Sequence, residues 1–219
     1  MSGDYHGSRL PPDARRNTLW RALWRYHFRH RIAAGDCVLD IGAGYGDFIN
    51  HVVARRRIAL DQWPGLRDHV AEGVEAIVAQ VTDLSAIDDG SIDFAFASNL
   101  IEHLPQAAFA QTLGQLSAKL APGGTLTILQ PNYRYAYREY FDDYTHVAVY
   151  SHISLGDFLR AHGWEVIEVR PRFLPLTIKS RLPVSMTLIG AYLKCPFKPL
   201  GKQMMLVARP MRTSRRSPP

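Results

Sequence analysis

Short apolar runs that end at an acid or an amide recur along the chain and predict buried strands. Four of them cover residues 37–41, 57–60 before Asp61, 76–79 ahead of Asp83, and 92–97 ahead of Asn99. Three further runs cover residues 125–129, 165–169 and 203–208. Short apolar runs bounded by turn residues are typical of strands inside a sheet.

Helical spacing of apolar residues separates these runs. Leu19, Trp20, Leu23, Trp24 and Phe28 share one face and Arg21, Arg25 and Arg29 another, which predicts an amphipathic helix over 15–35. Phe109, Leu113, Leu116 and Leu120 predict a second helix, opened by Pro105 and ended by the Pro-Gly-Gly at 122–124. A capping box at 154–157 predicts a third helix, and residues 184–193 predict a short fourth one.

Alternating strands and helices predict an α/β fold, a doubly wound and mostly parallel sheet with helices on both faces. We assign residues 15–210 to one domain, between a flexible N-terminus (1–14) and a disordered basic tail (211–219). Within the domain we expect a helix at 15–35, a ligand-binding core at 36–170 and an insertion at 171–202 before the last strand.

The composition is that of an ordinary globular protein, with 219 residues of which 47% are hydrophobic and 21% charged. Cys37 and Cys195 lie far apart with no Cys/His cluster, so neither a disulfide framework nor a structural zinc site is expected. No apolar stretch matches a signal peptide or a membrane span. We therefore expect a cytoplasmic protein, with peripheral contact at the inner membrane face as an option.

The charge is divided unevenly along the chain. Residues 1–36 carry seven arginines against three acids, residues 37–168 carry eight basic residues against seventeen acids, and residues 169–219 carry eleven against none. An acidic middle with basic ends indicates a catalytic or ligand-binding core with positive flanks rather than a nucleic-acid-binding surface.

A glycine-rich turn follows the first strand, with Gly42, Gly44 and Gly46 in the spacing GxGxG, and a helical stretch through His51 is expected after it. In a dinucleotide site the spacing is GxGxxG and the turn receives a pyrophosphate. Here Asp47 stands where the third glycine would fall, and Asp40 precedes the turn. Two acids would repel a pyrophosphate but suit a ligand with an ammonium and a sulfonium, which is S-adenosylmethionine.

The segment from Asp40 to Gly46 resembles motif I of the class I S-adenosylmethionine-dependent methyltransferases. The similarity extends, in order, through Asp61, Asp83, residues 91–104 and residues 120–128. The resemblance implies a Rossmann-like sheet of seven strands, the last one antiparallel. It also implies a cofactor site made of Asp40, Gly42, Gly44, Gly46, Asp61 on the ribose hydroxyls, Asp83 beside the adenine, and Asn99.

Transfer of a methyl group to a hydroxyl needs a base that removes the proton. Of His103, His146 and His152 we favour His146, oriented by Asp142 or Asp143, with His103 near the donor pocket. Six tyrosines between residues 133 and 150 make a platform for a sugar or aromatic acceptor. We expect no metal, because a pair of adjacent aspartates lacks an identifiable third ligand.

The segment 171–202 and the motifs PNYRY and FDDYTH resemble methyltransferases of bacterial polysaccharide and glycan biosynthesis. Lys194, Lys198 and Lys202 would then meet a phosphate- or lipid-linked sugar or an anionic membrane. Three alternatives remain open: an RNA or tRNA methyltransferase, a nicotinamide-dependent oxidoreductase, and a non-catalytic module that binds S-adenosylmethionine. The sequence does not indicate an oligomeric state, and the face formed by Leu19, Trp20 and Trp24 is expected either to cover the donor pocket or to form a dimer contact.

Overall fold

The computed structural model describes residues 14–175 and 185–211. Seven strands form one sheet in the order β3-β2-β1-β4-β5-β7-β6. Their bounds are β1 Cys37–Ile41, β2 Arg56–Asp61, β3 Val74–Val78, β4 Ile92–Ser98, β5 Leu120–Pro131, β6 Trp164–Pro175 and β7 Gly201–Pro210. Strands β1 to β5 pair in parallel, and β7 is antiparallel to both β5 and β6. The predicted seven-stranded, mostly parallel sheet is confirmed.

Helices cover both faces of the sheet. They are α1 Ala14–Tyr26, α2 Gln106–Lys119, the single turn α3 Tyr133–Ala136, α4 His152–Ala161 and α5 Met186–Lys194. On one face Phe109 of α2 and Leu155 of α4 pack in the same buried cluster as the strands. On the other face Leu23 of α1 packs with Phe28 and the phenylalanines of β4, joined by Leu193 of α5.

The strand order reverses direction at β1, with β2 on one side and β4 on the other. In open α/β sheets ligands bind outside the carboxyl ends of the strands at such a reversal. The residues that end β1, β2 and β4 therefore frame the expected binding crevice, and these are the strand ends that the sequence marks with acids and an amide.

Local details of three elements differ from the sequence-based expectations. The predicted helix over 15–35 ends at Tyr26, because the chain turns through a 3-10 turn at Phe28–His30 that buries the Phe28 ring against Phe48 and Phe96. The helical stretch expected after Gly46 is only the 3-10 turn Ile49–His51.

The start of α4 also lies earlier than predicted. Its cap is Ser151, whose hydroxyl accepts from the Ser154 backbone while the Ser154 hydroxyl accepts from the Ser151 backbone. Ser154 is therefore the third residue of the helix and not its cap.

The expected insertion at 171–202 is partly sheet. Strand β6 continues to Pro175 and β7 begins at Gly201, with α5 between them. Residues 176–184, with Lys179 and Arg181, lie outside the described residues. So do the predicted flexible N-terminus and basic tail, apart from Ala14 and Met211. Within the part of the chain that the structure describes, no helix combines the length and apolarity needed to cross a membrane.

His27 gives the fold a predictable response to acid. Its ring packs between Phe28 and Phe173, and burial, with Arg31 and Arg170 nearby, lowers its pKa from 6.5 to about 3. Between these values the unfolded chain binds a proton that the folded chain does not, so stability falls as the pH falls from about 6.5. One such group contributes a slope of up to about 1.4 kcal/mol per pH unit.

We therefore expect urea unfolding to show a smaller acid-induced loss of stability in His27→Gln than in the wild type. The glutamine fills similar space and does not titrate. Equal losses in the two proteins would show that His27 does not stay neutral in the folded state.

Candidate active site

A cavity of about 640 Å³ opens at the carboxyl ends of β1, β2 and β4, which is within the size range of small-molecule sites. It is lined by Asp40 and residues 42–45 from the end of β1, Asp61 and Trp63 after β2, residues 80–82 after β3, Asn99 and His103 after β4, and Arg16 and Trp20 from α1. The glycine turn, the acids and one of the three candidate histidines are therefore brought together.

The glycine turn is held against the end of β2. The backbone N–H of Gly42 donates to the Leu60 carbonyl at 2.8 Å, and that of Gly44 donates to the Asp61 carboxylate at 2.9 Å. Gly42 has a φ of 72°, and a Cβ there would lie 2.8 Å from a Leu100 methyl carbon. This position therefore requires glycine for both conformation and space.

Asp61 is fixed by both of its carboxylate oxygens. One accepts from Gly44 and the other from the Trp63 backbone N–H at 2.9 Å. The carboxylate lies at the wall of the cavity, and each oxygen has a second lone pair for a further donor. Asp61 is thus a rigid acceptor site for a pair of ligand hydroxyls.

The other two acids beside the turn differ in their charge. Burial raises the pKa of Asp40 to about 8, and its carboxyl accepts from the Ile49 backbone. Asp40 therefore carries little charge at neutral pH. Asp47 forms an ion pair with Arg16 of α1 at 3.2 Å. This ion pair joins α1 to the glycine turn, and Trp20 of the same helix also lines the cavity.

Two residues expected at the cofactor do not line the cavity. Asp83 is exposed, and its carboxylate accepts from the Ser85 backbone within its own turn; residues 80–82 line the cavity in its place. Gly46 is buried behind the turn against the Asn50 side chain. Asn99 does line the cavity, with a φ of 47° and its amide oxygen accepting from Gln203 at 3.0 Å.

His103 is the candidate histidine that lines the cavity. Its Nδ1 lies 3.2 Å from the Thr145 carbonyl and 2.9 Å from the Thr145 hydroxyl, and that hydroxyl donates to the Asp143 carboxylate at 2.6 Å. Because both partners of Nδ1 act as acceptors, Nδ1 carries the proton and Nε2 has the lone pair. Burial lowers the pKa of His103 to about 4, so the ring is neutral.

His146, the histidine favoured from the sequence, lies behind His103 and is not among the cavity-lining residues. The two rings are in edge contact, with centroids 4.8 Å apart. Its Nδ1 lies 2.5 Å from the Tyr140 carbonyl, and the Asp143 carboxylate accepts from Thr145. The expected pairing of Asp143 with His146 is therefore replaced by an Asp143–Thr145–His103 chain.

The loop that carries these residues is tied down by Tyr140, whose buried hydroxyl donates to the Ala148 carbonyl at 2.6 Å. We expect Tyr140→Phe to lower the free energy of unfolding by about 1–2 kcal/mol, because it leaves a buried carbonyl unpaired. Tyr150→Phe is the matched control, since the buried Tyr150 hydroxyl has no hydrogen-bond partner among the described residues. Chemical denaturation of both variants checks the difference, and equal effects would contradict it.

The lysines expected to meet phosphate are largely engaged within the protein. Lys198 donates to the Tyr192 and Leu193 carbonyls at 2.7 and 2.9 Å, and Lys202 pairs with Glu139 at 2.5 Å. Lys194 is the exposed member of the three. The structure therefore gives Lys198 and Lys202 local roles at the end of α5 and the start of β7.

Sequence reasoning did not identify three groups at the site: Arg16, Trp63 and Thr145. Arg16 reaches the cavity from α1, as does Trp20 of the face expected to cover the pocket or to form a dimer contact, and Trp63 reaches it because it follows Asp61 in a tight turn. Thr145 contacts a histidine 42 positions away in the chain. An aromatic residue two positions after the strand-end acid was the available signal for Trp63; the other two depend on packing between distant segments.

Comparisons with known proteins agree on the kind of domain. A model of a family described as a methyltransferase domain matches residues 13–169, whereas no curated protein sequence matches the chain. A methyltransferase chain of Haloferax volcanii, solved in complex with the Trm112 methyltransferase activator, has a TM-score of 0.66 and 19% identity over 91% of this chain and 92% of that one.

Two more solved structures are informative. A SAM-dependent methyltransferase from Archaeoglobus fulgidus has a TM-score of 0.65 and 19% identity over 88% of this chain and 93% of its own. Geranyl diphosphate C-methyltransferase from Streptomyces coelicolor, solved with Mg²⁺, geranyl diphosphate and S-adenosyl-L-homocysteine, has a TM-score of 0.56 and 13% identity over 82% and 72%. At such identities the likeness concerns the fold.

Proposed function

We propose, from the premise that the chain belongs to the methyltransferase domain family, that it methylates a hydroxyl of a small-molecule or glycan acceptor. The chain is a class I methyltransferase and its methyl donor is S-adenosylmethionine. The observation that carries the finer proposal is His103, a neutral histidine at the cavity wall with its Nδ1 proton held by Thr145.

The residues of the cavity fit this donor. Asp61 presents a fixed carboxylate of the kind that accepts from two ribose hydroxyls, and the glycine turn lets a ligand approach the backbone. Asp40 and Asp47 line the same wall and offer no positive charge to a pyrophosphate, and Arg16 beside them is paired with Asp47. A cation in the cavity stabilises the ionised form of Asp40, so the ammonium of the donor and this carboxylate favour each other.

S-adenosylmethionine supplies an electrophilic methyl group on its sulfonium. The part that falls to the protein is to align the acceptor oxygen, exclude water and receive the proton. We assign proton acceptance to His103, because its ring lies at the cavity wall and its Nε2 has the lone pair that can take a proton. Asp143 positions His103 through Thr145, and His146 packs against its ring.

The acceptor surface is inferred from exposed aromatic side chains in the segment of the chain that leads to His146. Tyr137, Phe141 and Tyr144 are 53%, 57% and 74% exposed in the segment between α3 and His146. Ring faces of this kind pack against the apolar C–H faces of sugars or against aromatic rings. These rings therefore support a glycan or aromatic acceptor. Lys198 and Lys202 are paired within the protein, so they do not add support for an acceptor that carries a phosphate.

Product analysis tests this proposal. The full chain is incubated with S-adenosylmethionine labelled with carbon-13 in its methyl group, together with separate pools of small molecules, glycans and RNA. We expect label in a small-molecule or glycan product, with the carbon-13 chemical shift of a methyl ether. A label on nitrogen or carbon, or in the RNA pool, would contradict the proposal.

A further inference from the structure

Three side chains with metal-binding groups meet behind the wall of the cavity. One carboxylate oxygen of Glu102 and one imidazole nitrogen each of His103 and His146 lie within 4.8 Å of one another. Zinc bonds to nitrogen at about 2.0–2.1 Å, so two ligand atoms around one ion lie at most about 4 Å apart. A contraction of roughly an ångström would therefore bring the three groups onto a common ion.

Both imidazoles are oriented in the way that metal-binding histidines usually are. Nδ1 of His103 faces the Thr145 carbonyl at 3.2 Å, and Nδ1 of His146 faces the Tyr140 carbonyl at 2.5 Å. A carbonyl only accepts, so each Nδ1 carries the proton and each Nε2 keeps its lone pair. A backbone carbonyl on the second nitrogen fixes the ring and makes it a better ligand.

Glu102 supplies the independent observation. Its side chain is fully buried, at 0% exposure, and neither carboxylate oxygen has a hydrogen-bond partner among residues 14–175 and 185–211. Burial raises the pKa of Glu102 to about 8, because an unpaired charge in the interior is costly, and buried carboxylates that stay ionised are paired or coordinate metals. The main chain of Glu102 is also fixed, since its carbonyl accepts from the backbone N–H groups of Val147 and Ala148 at 2.9 and 3.1 Å.

We propose that Glu102, His103 and His146 form a binding site for one divalent transition-metal ion of the zinc type. Two imidazoles and one carboxylate match zinc, whereas Mg²⁺ prefers oxygen ligands. His103 also lines the donor cavity, which places the site at the boundary between the protein interior and the acceptor. The expectation of no metal considered only Asp142 and Asp143, because nothing in the sequence indicates that Glu102, four residues after β4, is buried.

The site is independent of the proposed O-methylation, because ion binding is measured without acceptor or methyl transfer. It bears on the reaction in one respect. An imidazole nitrogen cannot hold a proton and a cation together, so the ion and the acceptor proton compete for His103.

Calorimetric titration of the tag-free full chain with Zn²⁺, after removal of metals with EDTA, tests the site. We expect one Zn²⁺ per chain, and a loss of affinity of at least about 100-fold in Glu102→Gln and in His146→Ala, since even outer-sphere changes cost about 10- to 100-fold. His162→Ala is the matched control. Its Nδ1 also faces a backbone carbonyl, that of Phe158 at 2.7 Å, but it lies outside the cluster, so its affinity should equal that of the wild type.

Failure to bind Zn²⁺ in the wild type, or equal affinity in all four proteins, would overturn the proposal. Binding of S-adenosylhomocysteine by each variant shows that it has folded. Zinc-edge X-ray absorption of the wild type reads the ligand set without any variant: two imidazoles and a carboxylate support the site, and any other set refutes it.

Discussion

Asp61→Ala should weaken the binding of S-adenosylhomocysteine by about 30- to 1,000-fold. Hydrogen bonds to a charged group contribute about 1.5–3 kcal/mol each, and the loss of two, which are not additive, amounts to about 2–4 kcal/mol. The substitution also releases Gly44 and Trp63, whose backbone N–H groups are held by this carboxylate. The effect therefore combines lost ligand contacts with a relaxed glycine turn, and calorimetric titration measures it.

Asp83→Ala is the control for this prediction. The sequence presents both aspartates as donor ligands, but Asp83 is exposed and bonded to Ser85 outside the cavity. Its substitution should leave the affinity for S-adenosylhomocysteine unchanged. Comparable losses in the two variants would mean that the donor lies nearer to Asp83 than the cavity indicates.

Replacement of His103 should give the largest effect on turnover. Removing a positioned general base typically lowers kcat by about 10²- to 10⁴-fold, and His103→Ala is expected within that range once an acceptor is identified. Binding of S-adenosylhomocysteine should persist, because Asp61 and the glycine turn are unaffected. His152→Ala serves as the control, since His152 pairs with Asn132 and lies outside the cavity-lining residues.

Variants of Thr145 distinguish a role of His103 in accepting the proton from a role in packing alone. Thr145→Val removes the hydroxyl between Asp143 and His103, so kcat should fall while the affinity for the donor stays constant. Thr145→Ser keeps the hydroxyl and should restore most of the rate. If valine and serine gave the same kcat, His103 would not depend on Asp143 for its orientation.

The sheet and the part of the site that binds the methyl donor were predictable because both depend on short stretches of sequence. An apolar run that stops at an acid such as Asp61 favours a buried strand that ends there, and glycines such as Gly42 and Gly44 favour a tight turn, whatever the rest of the chain does. The same local signals set the bounds of β1 to β4 and of β7 within about two residues, as for β1 at Cys37–Ile41. In contrast, β5 begins five residues before its predicted start and β6 ends six residues after its predicted end.

The acceptor end was less predictable because it is assembled from segments far apart in the chain. Which histidine faces the cavity depends on the path of the loop from 137 to 150, which Tyr140 ties to Ala148. The burial of Glu102 likewise depends on that loop, whose backbone closes over it. Local patterning assigns a glutamate to the surface, and tertiary packing overrides it here.

Direct titration of the wild-type chain with S-adenosylhomocysteine and, separately, with NAD tests the central claim that the cavity is a methyl-donor site. We expect one S-adenosylhomocysteine per chain with a dissociation constant of about 1 μM, equivalent to about −8 kcal/mol, and no binding of NAD. Binding of NAD without binding of S-adenosylhomocysteine would contradict the account, because the cavity would then hold a pyrophosphate instead of the ammonium that Asp40 is argued to bind.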